Sequence, residues 1–308
     1  MSRTWRIGTR GSNLALWQAH YVRDRLLEAA PGDQVEVDII KTSGDRIQDR
    51  PLYEIGGKGL FIKEIQVALL DGRIDLAIHS LKDYPVANPP ELKIACVPQR
   101  HDRRDALILH DGLTKANFPH KARVGTGSLR RRFQAQLLHP DWDMHGLRGN
   151  VETRLRKADS DDLDAVILAA AGLKRLGYER RITALFSPDE MVPAVGQGAL
   201  AIECRKSDTE LQDVLSGLED EKASFEVHAE RRFLQGLGGD CTTPVGINAE
   251  LTGGKVVLRA FLSAYDGSRH IKERLEGEPE RSDDLVDELL KRFMDQGGRE
   301  MMSGQMSG

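Results

Sequence analysis

Apolar positions follow two rhythms along the first two thirds of this chain, short unbroken runs alternating with stretches where they recur every three or four residues, which is the grammar of strand and helix in turn. WRIGT reads as a strand, and Ser12 opens a helix that puts Leu14, Trp17, Tyr21 and Leu26 on roughly one face. VEVDII follows as a second strand and completes a βαβ opening. The next segment, KTSGDRIQDRPLYEIGGKG, carries neither rhythm and is rich in charge and glycine, so it reads as a long functional loop over residues 41 to 60 that could act as a lid. A helix (FIKEIQVALL), a turn at Asp71-Gly72 and the strands IDLAIHS and LKIACVP come after it.

From about residue 104 the same grammar restarts. DALIL is a strand, ARVGT leads into the helix SLRRRFQAQLL, NVETRLRKA is helical, and DAVILAA is a strand followed by a short helix. GQGALAIECR predicts a further strand, then one charged helix running through ASFEVHAERRFLQ. The last third is built differently, with VGINAEL, KVVLRAFL and RHIKERLEG separated by Gly253-Gly254 and Asp266-Gly267, both strong hairpin signals. A final helix, DDLVDELLKRFM, is expected to cover one face of that meander. The fold class is α/β, with two α/β domains plus a small C-terminal α+β domain.

Composition narrows the function. With 308 residues, 40% hydrophobic and 30% charged, the chain can bury several cores and is no disordered class. A net charge of -4 argues against a general nucleic-acid binder. The start, MSRTWRIGTRGS, lacks an apolar signal core, and no window approaches the roughly 18 apolar residues of a membrane span, so a cytoplasmic protein is expected. Three widely spaced cysteines fit neither a disulfide framework nor a CxxC metal site. Cys96 and Cys204 sit in strand contexts and read as small buried hydrophobes, whereas the GLGGDCTTPVG loop makes Cys241 a reachable thiol. No metal ligand set is expected, and His79, with no second ligand at metal spacing, reads as a satisfied core or turn histidine.

Arginine recurs at or beside the strand-to-helix turns: Arg10 in GTRGS, Arg130, Arg131 and Arg132 after VGTGS, Arg148 in LRGN, and Arg154 one helical turn on. Ligands of open α/β sheets bind beyond the carboxyl ends of the strands, so these arginines are expected to face one crevice, with Ser12, Thr126 and Ser128 at the same turns. Any single surface arginine is usually just solvated, and Arg132 reads as such a bystander; the recurrence favours an anion cleft. Neither GGKG nor VGTGSLRRR has phosphate-loop spacing. Asp83 in HSLKDYP ends an apolar strand beside Lys82, a place where an aspartate is most often a turn-former and can also be an acid.

Together RIGTRGSNLALWQ, GGKGLFIKE, AIHSLKDYP, VGTGSLRRR, LRGNVETRL, LAAAGLKRLG, PAVGQGALAIE and the Cys241 loop resemble the porphobilinogen deaminase (hydroxymethylbilane synthase) family of tetrapyrrole biosynthesis, in order and spacing over nearly the whole chain. The resemblance implies two α/β domains of the periplasmic-binding-protein-like type plus a small C-terminal α+β domain, the first interrupted: 1–98 with 195–217, then 99–194, then 218–308. It implies a dipyrromethane cofactor joined to Cys241 by a thioether, and the stepwise addition of four porphobilinogen units before hydrolysis releases hydroxymethylbilane. Asp83 is then the catalytic acid and base: it protonates the leaving amine, faces the resulting cation and accepts the surplus proton. Lys82, Asp45, Thr126, Ser128, Arg130 and Arg131 are expected at the cofactor, and Arg10, Ser12, Arg148, Arg154 and Arg175 at the substrate. Every pyrrole unit carries two carboxylates, a charge that fixed cations must offset. The resemblance further implies a monomer that hands its product to a downstream tetrapyrrole enzyme. Asp240, where family members often have glycine, is expected to slow attachment by disfavouring the thiolate. The rival readings are a non-catalytic two-domain carboxylate-binding protein, disfavoured by the missing export signal, and a nucleotide-dependent transferase, disfavoured by the missing phosphate loop.

Overall fold

The structure, a computed structural model, describes residues 2–46, 62–160, 162–240 and 242–303. In chain order the elements begin β1 (Thr4–Thr9), α1 (Asn13–Ala29), β2 (Gln34–Ile39), α2 (Ser43–Arg46), α3 (Lys63–Leu70), β3 (Leu76–Ser80) and β4 (Leu92–Cys96). They continue with β5 (Asp105–Leu109), β6 (Arg123–Thr126), α4 (Leu129–Leu138), β7 (Asp143–Gly146), α5 (Val151–Ala158), β8 (Ala165–Ala169), α6 (Ala170–Arg175) and β9 (Ala184–Leu185). Then come β10 (Leu200–Arg205), α7 (Thr209–Ser216), α8 (Glu221–Leu237), β11 (Val245–Thr252), β12 (Lys255–Ser263), β13 (His270–Gly277), α9 (Ser282–Asp295) and α10 (Gly298–Ser303).

The chain divides into two compact units: Met1–His101 with Gly198–Phe225, and Asp102–Gln197 with Glu226–Gly308. The first holds a sheet ordered β2-β1-β3-β10-β4, with β1, β2 and β3 parallel and β10 antiparallel to both its neighbours. The second repeats the plan as β7-β6-β8-β5-β9, with β6, β7 and β8 parallel and β5 the antiparallel strand. In each sheet the reversed strand is the first that the chain lays down after changing unit.

Both central strands are apolar on both faces because helices cover both. Leu76 and Ile78 of β3 pack with Trp5, Val22 and Leu26, while Ala77 between them packs with Ile65, Leu69 and Ile74 of the opposite layer. On β8, Ile167 faces Val124 and Met144, and Val166 and Leu168 face Leu155 and Leu173. That double burial is why IDLAIHS and DAVILAA read as unbroken runs.

The meander β11-β12-β13 forms through the two predicted hairpins, and α9 packs on β12 and β13. Val286, Leu289 and Phe293 are fully buried on that helix, each contributing about 1.5–3 kcal/mol relative to exposure. Phe293 meets Phe233 of α8 edge to face at 5.2 Å. Two buried acids of α8 fasten the meander to the segments where the chain changes unit. Glu226 accepts from Arg103 (2.6 Å) and the Leu251 amide (3.1 Å), and Glu230 from the Gly196 (2.7 Å) and Ala249 (3.0 Å) amides.

Several expectations need correction. The buried stripe of α1 is Gln18, Ala19, Val22 and Leu26, whereas Trp17 and Tyr21 are half-buried and stack on each other at 5.4 Å. The single charged helix after β10 is two, because Asp208 caps α7 and the chain turns at Gly217 before α8. Strand β7, short and partly polar, and strand β9, only two residues long, have no counterpart in the periodicity. Residues 43–46 form the helical turn α2, while the remainder of the supposed lid, from 47 on, lies outside the described residues.

Candidate functional site

In the first unit the carboxyl ends of three parallel strands share one edge of the sheet. β1 ends at Thr9 and runs through Arg10 into Ser12, whose hydroxyl caps α1 by accepting from the Ala15 amide at 3.3 Å. β2 ends at Ile39 and leads to α2, which carries Asp45. β3 ends at Ser80 and passes into a single 3-10 turn, Leu81–Asp83, closed by the Tyr84 amide on the Leu81 carbonyl at 3.0 Å. Parallel pairing of Ile7 with Leu76 and Gly8 with Ala77 therefore brings Arg10, Ser12, Lys82 and Asp83 to the same edge. Asp83 is exposed and Lys82 half-buried.

The second unit repeats this. β6 ends at Thr126, and Ser128 caps α4 by accepting from the Arg131 amide. β7 runs through Arg148 into Asn150, whose side chain caps α5 by accepting from the Thr153 amide at 2.8 Å. The Leu147 amide donates to the Thr126 carbonyl at 3.2 Å, and Arg154 Nε to the Gly149 carbonyl at 2.7 Å, so the two turns are fastened together. Arg148 and Arg154 are half-buried there; Arg175, ending α6 after β8, is buried.

Arg130 and Arg131 turn inward. Arg130 Nη1 reaches Asp105 Oδ2 at 2.7 Å and the Val192 carbonyl at 2.6 Å, and Arg131 Nε reaches Asp105 Oδ1 at 2.8 Å. Burial pushes the Asp105 carboxyl up, but the two guanidinium groups outweigh it and hold it down at about 2. Two guanidinium charges against one carboxylate leave this buried cluster with one net positive charge. Arg148 lies on the turn that follows β7, whose carboxyl end pairs with that of β6, and Arg154 on α5, which this turn opens.

A model described as porphobilinogen deaminase, dipyromethane cofactor binding domain, matches residues 5–213, and one for the C-terminal domain of the same enzyme matches 224–295. The chain belongs to the porphobilinogen deaminase family. It is 48% identical over 304 residues to the porphobilinogen deaminase of Roseiflexus sp. (strain RS-1), covering 99% of this chain and 100% of that one. The porphobilinogen deaminase of Geobacter sulfurreducens is 44% identical over 298 residues, 97% of this chain and 93% of that one. Among solved structures, the L-cystine solute receptor of Neisseria gonorrhoeae is similar at 14% identity and a TM-score of 0.39 over 78% of this chain and 95% of the receptor; a likeness so slight says nothing of ligand. Membership of the porphobilinogen deaminase family makes this chain a transferase that forms hydroxymethylbilane with a dipyrromethane cofactor, not a non-catalytic binding protein.

The donor set of the second unit fits a dipyrromethane, whose side chains are carboxylates: Thr126, Ser128, Arg148 and Arg154 gather where the strands end, and the Asp105 carboxylate is already taken up by Arg130 and Arg131. Cys241 lies outside the described residues. Beside it, Asp240 serves the loop, accepting from the Thr242 amide (2.9 Å) and hydroxyl (2.6 Å). Cys96 and Cys204 are buried, as expected of structural thiols, and burial pushes both pKa values up. His79 is a satisfied core histidine, 2.9 Å from Glu203. Sequence reasoning missed Asp105 and Glu203; the signal in each case is an acidic residue within an apolar strand, DALIL and ALAIECR. Among the described residues no helix is long and apolar enough to cross a membrane.

Proposed function

We propose that Asp83 is the catalytic acid and base of porphobilinogen condensation in this enzyme. The observation that carries this reading is its place: an exposed carboxylate on the turn that ends β3, beside Lys82 and on the edge shared with Arg10. Asp83 protonates the amine leaving porphobilinogen as ammonia, its carboxylate then faces the electron-poor carbon left behind, and it takes up the proton shed by the pyrrole carbon that attacks. Each cycle returns Asp83 to its starting protonation. When bound, the dipyrromethane supplies the pyrrole carbon that is first extended.

Cys241 holds that group by a thioether, and Lys82, Asp45, Thr126, Ser128, Arg130 and Arg131 receive it. Arg10, Ser12, Arg148, Arg154 and Arg175 bind the substrate carboxylates. Ser12 and Ser128 act chiefly through the helix starts they cap, and Arg130 and Arg131 through the net charge of their cluster with Asp105. The chain comprises domain 1 (1–98 with 195–217), domain 2 (99–194) and domain 3 (218–308); the changes of unit after His101 and Gln197 support the interruption. The enzyme is a cytoplasmic monomer that passes its linear product to a downstream tetrapyrrole enzyme.

The test is intact mass and turnover of Asp83→Asn. The variant retains the added mass of one dipyrromethane on the 34.3 kDa chain and loses condensation by about 10²–10⁴-fold. Near-normal turnover would refute the assignment.

A further inference from the structure

One buried acid clasps both ends of the turn that carries Lys82 and Asp83. Glu203 lies on β10, beside β3 in the antiparallel register Glu203 to Ala77, and is fully buried. Its Oε2 is 2.9 Å from Nε2 of His79, the penultimate residue of β3, and its Oε1 accepts from the Tyr84 hydroxyl, immediately after the turn, at 2.6 Å. Gln66 donates to the same Oε1 at 2.8 Å and to Asn88 Oδ1 at 3.0 Å, while Asn88 in turn donates to the Pro85 carbonyl at 3.0 Å. Residues 79, 84 and 85 are thereby tied through one network, and between these ties the chain carries Lys82, half-buried, and Asp83, exposed.

Placing an acidic side chain in the middle of a buried strand is costly unless its oxygens are matched by donors. The fold of the first unit gives no reason for it: the sheet pairs through its backbone, and Ile202 and Cys204 on either side of Glu203 are ordinary core residues. Two of the three side chains that match Glu203, His79 and Tyr84, stand at the ends of one short turn, and the third, Gln66, reaches on to Asn88 beyond it. The far side of the turn is held too, by Gln18 Nε2 on the Ser80 hydroxyl at 2.8 Å and by the Leu81 amide on the Ala199 carbonyl at 3.1 Å.

We infer that Glu203, through His79 and Tyr84, is a positioning residue for the reaction, fixing the direction in which the Asp83 carboxyl is presented. The inference rests on the acid and base role of Asp83. A proton-transfer group must lie within hydrogen-bond reach of the atoms it serves, so a small swing of the turn is felt in the chemical step before it is felt in substrate binding.

The experiment uses the cofactor-loaded enzyme and five variants: Tyr84→Phe, Glu203→Leu, Asp83→Asn, the double variant of Tyr84→Phe with Asp83→Asn, and the core control Ile202→Val. Tyr84→Phe, which keeps the ring and its packing, lowers kcat about tenfold or more with KM changed by less than about threefold. Hydrogen exchange of peptides spanning Leu81 and Tyr84 becomes about tenfold faster or more in the same variant, as the clasp opens one end of the turn. Ile202→Val, beside Glu203 on the same strand, loses stability but changes neither kcat nor exchange in those peptides. Adding Tyr84→Phe to Asp83→Asn brings no further loss of kcat, because the clasp acts only through Asp83. Wild-type kcat and exchange in Tyr84→Phe, next to an inactive Asp83→Asn, would overturn the clasp and leave the acid/base role standing; an active Asp83→Asn would overturn that role, with exchange still reporting on the clasp. Should Glu203→Leu not fold, Tyr84→Phe decides alone.

Discussion

Arg131 and Asp105 meet Nε to Oδ1 at 2.8 Å, at the point where β5 begins and α4 has just turned away from β6. Arg130 holds the other carboxylate oxygen at 2.7 Å, so one aspartate is the counter-charge for two buried cations. Removing that charge leaves both guanidinium groups uncompensated in the interior. Asp105→Asn is expected to destabilise the protein by about 3–5 kcal/mol, read from the urea midpoint of unfolding.

The same carboxylate gives stability a pH dependence of definite sign. Its folded pKa, about 2, is below the roughly 3.9 of an unfolded chain. Its contribution is therefore complete above about pH 4 and is lost as pH falls from there towards about 2. Urea midpoints of the wild type should fall over that window more steeply than those of Asp105→Asn, and parallel curves would contradict the cluster.

Much of the site's frame is written locally. IDLAIHS followed by Tyr84-Pro85 marks a strand that must leave its sheet, and the structure puts Asp83 on the turn at that point. GTGS and LRGN mark helix starts, and Ser128 and Asn150 do cap α4 and α5. What periodicity could not give is pairing across sequence. Arg130 and Arg131 read from the sequence only as part of an anion cleft, and their buried ion pairs appear once β5, 25 residues earlier, is laid antiparallel to β8 and delivers Asp105 to them. Glu203 is 119 residues from Tyr84, and nothing in ALAIECR says which strand lies beside it. Short polar strands such as β7 fail for another reason: Asp143, His145 and Gly146 are exposed, so burial imprints no alternation strong enough to read.

Gly127 governs how the two turns of the second unit meet. A Cβ there would lie 2.4 Å from the Leu147 carbonyl oxygen, a backbone atom that cannot swing aside, and 3.9 Å from Arg154 Nη2. Gly127→Ala must therefore push the Ser128 helix start away from the loop bearing Arg148. Expected are a loss of about 1–3 kcal/mol in stability and a rise in KM. Thermal melting and steady-state kinetics check this; wild-type values in both would show that the contact yields freely.

Arg148 sits in a loop fixed on both sides, by the Leu147 amide on Thr126 and by Arg154 on the Gly149 carbonyl. Leucine in its place removes the charge without loosening those bonds. With substrate carboxylates then unmatched, Arg148→Leu should slow condensation by about 10²-fold or more and leave partly extended chains on the protein, visible as a ladder in the intact mass spectrum. Product formation at the usual rate with no ladder would remove Arg148 from the substrate site.

Thiol chemistry gives a separate check on the tether. Burial pushes the Cys96 thiol well above its ordinary range, with the Glu219 carboxylate adding to the shift. Burial likewise raises Cys204 to about 11, so near neutral pH neither offers much thiolate to a reagent that could barely reach it. With three cysteines in the chain, the proposed thioether at Cys241 predicts that a thiol-specific disulfide reagent finds no fast-reacting group in the native loaded enzyme. Unfolding should expose two thiols. The same protein made without its cofactor should show one fast thiol when native and three when unfolded, and Cys241→Ser should remove the fast one alone. A fast thiol in the loaded native enzyme would place the tether somewhere other than Cys241.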